Sequence, residues 1–223
     1  MRKLIMALLL VMFIVSGGVI IMHFYEEHTM ERNSAQARDI LERMDASPAA
    51  HMDFEQIRAY FDNDDIVAHL SIEGTNIDYL VVQGGDNEFY LTHDIWSRPT
   101  PAGWIFLDYE ADITRPDHNW IIYGHNMQRE HKFHSLRRYA DRDFFHEHPN
   151  IVLTTPLGKS YWEIFSFYST PIYFAYNIIN FVNPATMEYM LNHFVRMSRH
   201  DAGIDGWRRE YDIDTFDLYQ SRC

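Results

Sequence analysis

The stretch "IVAHLSIEGTNIDYLVVQ", residues 66–83, decides the fold. Ile66, Ala68, Leu70 and Ile72 fall at every second position, the period of a strand with one buried face. Glu73-Gly74-Thr75-Asn76 then turns the chain, and "IDYLVVQ" (77–83) returns as a second strand. Outward from this hairpin, further strands are expected in "GWIFLDY" (103–109), "NWIIYG" (119–124), "NIVLTTP" (150–156), "SYWEIFSFY" (160–168) and "YDIDTFDLYQSRC" (211–223). Leu157-Gly158-Lys159 reads as a tight hairpin connection. Helices interrupt the pattern. One begins at Asp53 with Gln56 three residues on, a capping box, and presents Phe54, Ile57 and Phe61 on one face. Others are expected over about 131–139, over 142–147 behind Asp141, and over 185–199 behind Asn183 and Pro184. In the last, Met187, Met190, Leu191, Phe194 and Ser198 make an inward stripe of ordinary core. Many short strands with inserted helices predict a mainly β protein, a β-barrel with peripheral helices.

Ahead of this domain the sequence changes character. Arg2 and Lys3 precede the uncharged run "LIMALLLVMFIVSGGVIIM", residues 4–22. As a helix it would span roughly 28 Å, close to the hydrocarbon core of a bilayer. Basic residues before it, with Glu26 and Glu27 after it, predict a single-pass anchor with the domain outside the cell. A cleaved signal peptide is the competing reading, with Val15 and Gly17 as its small-residue site. Apolarity continuing through Met22 favours a retained anchor. Residues 23–50 then read as a helical stalk, with Met30, Ala37, Ile40, Leu41 and Met44 at three- and four-residue spacing and Ser47-Pro48 as its stop. The expected organisation is thus 1–22 transmembrane signal anchor, 23–50 stalk and 51–223 catalytic domain.

Composition narrows the function. The 223 residues include 19 Lys+Arg against 32 Asp+Glu, a formal net charge of −13, which repels a phosphate backbone and excludes nucleic acid as a natural partner. The 13 histidines form no HExxH pair and no Cys/His cluster of zinc spacing, so no metal or other cofactor is expected. His131 and His134 read as a solvated pair. Cys223 is the single cysteine, so an exported domain would carry a free thiol.

A free cysteine is commonly a small buried hydrophobe. A second feature gives this one a chemical reading. In "NWIIYGHNM" (119–127) a strand runs into Gly124, which permits a sharp turn, and His125 follows at once. A Cys–His pair activates a thiol without metal: the imidazolium favours the thiolate, then protonates a departing amine. Cys223 and His125 both stand at the C-terminal ends of expected strands and would meet at one rim if those strands are parallel neighbours.

Five stretches make the pattern specific: "IDYLVVQGGDNEFYLTHD" (77–94), "AGWIFLDY" (102–109), "IIYGHNM" (121–127), "FHSLRRYADRDFFHEHPNIVL" (133–153) and the helix at 185–199 ahead of the cysteine strand. From about the Asp53 helix onward the chain resembles the class B sortases, membrane-anchored cysteine transpeptidases of Gram-positive cell surfaces. The resemblance implies an eight-stranded sortase-like β-barrel. It also implies an enzyme that cuts a C-terminal sorting signal of a secreted protein, holds the acyl fragment as a thioester, and passes it to a cell-wall or pilin amine. By matching position Cys223 is the nucleophile and His125 the catalytic histidine. Asn126, Ser221 and Tyr219 are expected substrate contacts, and the substrate-gripping loop is expected within 169–184.

Three positions depart from the family pattern. Tyr219-Gln220-Ser221-Arg222-Cys223 stands where Thr-Leu-x-Thr-Cys is usual, Leu80 replaces a proline, and the family's last strand with its arginine has no counterpart before the terminus. The expectation is a fragment of a longer reading frame, its barrel lacking the final strand, with a degenerate gene as the alternative. Arg129, Arg137 and Arg138 are expected on the helical excursion, away from the thiol. Two rival readings share the barrel. One is a catalytically inactive barrel that binds a peptide or wall component, and the other is a hydrolytic cysteine peptidase.

Overall fold

The computed structural model describes residues 2–45, 52–115, 119–126, 132–171, 178–179 and 183–202. Contacts divide the chain into two compact units, Met1–Glu42 and Arg43–Cys223.

The first unit is built on α1 (Arg2–Asp45), one continuous helix of 44 residues over the stretch read as anchor and most of the stalk; residues 46–50, with the expected Ser47-Pro48 stop, lie outside the described residues. Its described apolar side chains within 5–21, among them Leu9, Leu10, Phe13, Ile14, Val19 and Ile21, are exposed, whereas Ala37 further along is buried. The anchor reading meets a different result here. Among the described residues no helix is long and apolar enough to cross a membrane.

In the second unit a sheet of six strands has the order β4-β3-β2-β1-β5-β6. The strands are β1 (Ile66–Ile72), β2 (Asp78–Val82), β3 (Phe106–Leu107), β4 (Ile122–Tyr123), β5 (Asn150–Thr155) and β6 (Gly158–Glu163). β1 lies at the centre. It pairs antiparallel with β2, Leu70 opposite Tyr79, and antiparallel with β5, Leu70 opposite Leu153. Its alternating pattern is realised residue by residue, with Ile66, Ala68, Leu70 and Ile72 buried. The β2–β3 pairing is parallel and the β3–β4 pairing antiparallel. The sheet curls: the rings of Trp120, beside β4, and Trp162, on β6, approach to 5.6 Å, although their strands are the two outer members of the sheet.

Helix caps follow the sequence closely. α2 (Phe54–Phe61) begins at Asp53, whose side chain accepts from the backbone N–H of Glu55 and Gln56, and it buries Phe54, Ile57 and Phe61. Gln56 closes the box on the Asp53 carboxylate itself, at 2.6 Å. α3 (Arg142–Glu147) is capped by Asp141 accepting from Phe144 N–H. α4 (Pro184–Met197) is capped by Asn183 accepting from Thr186 N–H. Met190, Leu191 and Phe194 of α4 are buried against Phe165, Tyr168, Ile178 and Met187. Each fully buried side chain of this size contributes roughly 1.5–3 kcal/mol.

Several expected boundaries move, each for a local reason. The strand expected over 103–109 shrinks to β3, because Gly103 takes a left-handed φ of +54° and Trp104 N–H donates back to the Tyr90 carbonyl at 2.8 Å. The strand expected over 119–124 shortens to β4, since Asn119 N–H donates to the Ile179 carbonyl instead of a sheet partner. The strand expected to reach residue 168 ends at Glu163. Beyond it Ser166 Oγ donates to the Phe194 carbonyl and Phe167 N–H to Ser198 Oγ, which turns the segment toward α4. The hairpin turn sits one position early: Thr155 pairs with Gly158, leaving Pro156 and Leu157 as the turn. The helix expected over 131–139 is a 3-10 helix over His134–Ala140. It starts late because Lys132 is left-handed at φ +54° and Phe133 N–H bonds back to the His125 carbonyl. The strand expected over 211–223 lies outside the described residues, as do residues 172–177 and 180–182 of the expected gripping loop.

Candidate functional site

His125 stands two residues past β4, an outer strand of the sheet. Gly124 explains the placement. A Cβ there would meet Ile105 Cδ1 at 2.5 Å and the Phe133 ring at 2.6 and 2.8 Å, so the backbone lies directly on the core as it leaves the strand. Residues 127–131 lie outside the described residues, and the chain is described again from Lys132 and Phe133. The stem is closed by an isolated antiparallel bridge between Asn126 and Lys132 and by Phe133 N–H donating to the His125 carbonyl at 3.1 Å. His125 is half-buried. Burial first, and the positive charge of Lys132 second, hold its imidazole below the ordinary histidine range.

Lys132 is a residue the sequence did not mark. It is 2 % exposed, although lysine is almost never fully buried without compensation. Its ammonium sits 3.6 Å from the centroid of the Trp104 ring and 5.3 Å from that of Tyr79. Its backbone N–H donates to Tyr79 Oη at 3.2 Å. The ring wall is itself fixed: Trp104 Nε1–H donates to the Leu80 carbonyl at 2.8 Å, and Trp104 meets Tyr79 edge-on. Burial lowers the Lys132 ammonium to about 7, against a smaller opposing effect from Asp94. A lysine between His131 and Phe133 carries no local signal of this burial.

Asn126, an expected substrate contact, accepts from Arg137 Nε–H at 3.1 Å. Arg137, on the 3-10 helix where the excursion was expected, therefore reaches the loop of His125; Arg129 lies outside the described residues. Arg138 lies where the excursion was expected to hold it, over the Phe144 ring and donating to the Gly74 carbonyl. His134, expected in a solvated pair, is partly buried, and its Nδ1 has no hydrogen-bond partner among the described residues. Among the described residues no group of three or more His, Cys, Asp or Glu side chains could hold a metal ion. Cys223, Ser221 and Tyr219 lie outside the described residues, as does His131.

Behind the histidine stem, an apolar cavity of about 80 Å³ is lined by Leu70 and Ile72 of β1, Ile122 of β4, Ile151 of β5, Phe133 and Tyr139. The inner faces of β1, β4 and β5 thus enclose space under the rim from which His125 leaves.

No protein-family model matches the sequence. Individual relatives do. The chain is 36% identical over 142 residues to sortase B of Listeria monocytogenes, a match covering 64% of this chain and 58% of that protein. It is 29% identical over 206 residues to sortase B of Staphylococcus aureus, covering 90% and 83%. Among solved structures, a Staphylococcus aureus sortase B–substrate complex superposes with a TM-score of 0.69 at 26% identity, over 79% of this chain and 80% of that one. The chain is similar to the class B sortases in sequence and in fold. The curled, mainly β sheet with its helices is the sortase fold. The match spans under two thirds of the length of the Listeria sortase.

Proposed function

We propose that this chain is a class B sortase, a membrane-anchored cysteine transpeptidase. It cuts a C-terminal sorting signal of secreted proteins and transfers the acyl group to a cell-wall or pilin amine. The observation that carries the proposal is the half-buried imidazole of His125, held on a closed loop stem at the end of an outer strand, in a chain whose relatives are sortases. A solved relative in complex with a substrate supports a peptide-binding site in this fold.

In this mechanism Cys223 attacks the scissile carbonyl. The lowered proton affinity of His125 leaves its imidazole neutral at physiological pH, so it accepts the thiol proton as the C–S bond forms. It returns that proton to the amine as the C–N bond breaks. The acceptor amine then attacks the thioester, a new C–N bond forms as the C–S bond breaks, and the proton the amine loses passes through His125 to the departing thiolate. Asn126, Ser221 and Tyr219 contact the peptide. Developing negative charge on the carbonyl oxygen requires a donor, which the family supplies from an arginine after the cysteine strand.

Residues 4–22 are assigned as the anchor, with the catalytic domain outside the cell. The support is the uncharged run behind Arg2 and Lys3, together with the exposure of its described apolar side chains. Water is a poor neighbour for such a surface and lipid a good one.

The test is a fluorogenic sorting peptide, with the acyl-enzyme followed by mass spectrometry. Cys223→Ala abolishes cleavage and the adduct, and His125→Ala removes nearly all turnover. Cleavage surviving Cys223→Ala refutes the assignment. Arg222, which replaces the usual threonine beside the cysteine, favours a second reading as an inactive peptide-binding barrel. Peptide binding without any adduct identifies that case. Capture of the acyl group by an added amine separates transfer from the hydrolysis of a cysteine peptidase.

A further inference from the structure

Lys132 shares the stem of the loop that carries His125, yet the reaction described above gives it no task. Three contacts define its place. Its backbone pairs with Asn126, the neighbour of His125. Its N–H donates to Tyr79 Oη, which ties the stem to β2. Its ammonium lies against the face of Trp104, the residue after the Gly103 turn. A lysine buried only for packing would be a poor choice, since an apolar side chain fills the same space without desolvating a charge. The backbone also takes a left-handed φ of +54° at this residue, uncommon for a side chain of this size. Charge, position and backbone conformation converge on one residue at the base of the histidine loop.

We propose that Lys132 is a positioning residue for His125: a sealed cation, seated on the Trp104 ring, that fixes the loop stem and sets the charge the imidazole meets. Among the described residues, the titratable or charged groups facing Lys132 are His125, Asp94 and Tyr79. Asp94 is already bound by Arg98, at 2.8 and 3.0 Å, so it is not a dedicated counter-ion for the lysine. Arg137 approaches the loop through Asn126 from the solvent side. Lys132 and His125 therefore oppose each other's protonation, and each holds more readily the proton the other lacks. Proton transfer to His125 during thiol attack is thus coupled to the state of Lys132. The catalytic importance of this pair rests on the transpeptidase reading, but the pair itself does not.

The experiment is a proton titration of the full chain, solubilised in detergent, reading the His125 ring by NMR and assigning it from the signal lost in His125→Asn. Lys132→Met keeps an unbranched chain on Trp104 and removes the charge, and Lys132→Arg keeps the charge. The His125 midpoint moves upward in Lys132→Met and stays near its original value in Lys132→Arg. An unmoved midpoint in Lys132→Met overturns the proposal. An equal movement in both variants also overturns it, because packing and not charge would then be the cause. Peptide cleavage is measured alongside. A moved midpoint in a chain that forms no thioester leaves this inference standing and removes the transpeptidase reading instead.

Discussion

Adding one methyl group at Gly124 tests whether the core under β4 fixes the departure of the histidine loop. The Cβ of Gly124→Ala would lie 2.5 Å from Ile105 Cδ1 and 2.6 Å from Phe133 Cδ2. Ordinary carbon contacts lie at about 3.5–4.0 Å, so the overlap is about 1 Å on two sides. Ile105 is 0 % exposed and does not line the apolar cavity; Phe133, 5 % exposed, borders that cavity and is the neighbour with space to shift. Overpacking of this kind costs about 1–3 kcal/mol. For a unit of this size, each kcal/mol lowers Tm by about 2–4 °C, so a fall of about 2–12 °C is expected in a thermal melt followed by circular dichroism. The second arm is Ile105→Val, which deletes the Cδ1 in closest contact. Combined with Gly124→Ala it recovers part of the loss, with a coupling of at least about 0.5 kcal/mol in a double-mutant cycle. A Gly124→Ala protein that melts within 1 °C of the parent, or two substitutions that simply add, would refute the claim that this contact is rigid.

Two further outcomes follow from local chemistry. Asn183→Ala removes the side chain that accepts from Thr186 N–H at the start of α4 and lowers stability by about 1 kcal/mol in urea unfolding. Lys132 makes stability depend on pH in an unusual direction. Its ammonium titrates at about 7 in the folded chain against 10.5 in an unfolded one, so between these values the unfolded state binds more protons and stability rises with pH. The rise is at most about 1.4 kcal/mol per pH unit, and Lys132→Met abolishes it; a flat profile for the parent between pH 7.5 and 9.5 contradicts the burial of the charge.

How much of this was legible in sequence depended on whether the signal was local. β1 was legible because its alternation is strict and one face is buried throughout. The starts of α2, α3 and α4 were legible because Asp53, Asp141 and Asn183 act on N–H groups two or three residues away. His125 was legible as the residue after a strand and a glycine. β3 and β4 were overestimated, because what shortens them comes from afar: the Tyr90 carbonyl takes the Trp104 N–H, and the Ile179 carbonyl takes that of Asn119. The burial of Lys132 and the contact of Arg137 with Asn126 were missed for the same reason. Their partners are Trp104, Tyr79 and Asn126, 11–53 residues away, and nothing in "HKFHSLRR" announces them.

The central position of β1 has a kinetic consequence. Its pairing with β2 closes a short loop, and β5 with β6 closes another, so either hairpin can nucleate alone within microseconds. Joining β1 to β5 brings Leu70 to Leu153 and must gather the whole intervening chain, at a loop-closure entropy that grows with its length. The imidazole rides in that intervening chain. The neighbours of its stem, Tyr79, Trp104, Ile105, Lys132 and Phe133, all lie in the same stretch, so the histidine stem is gathered by contacts within the chain that β1 and β5 enclose, and their pairing closes around it.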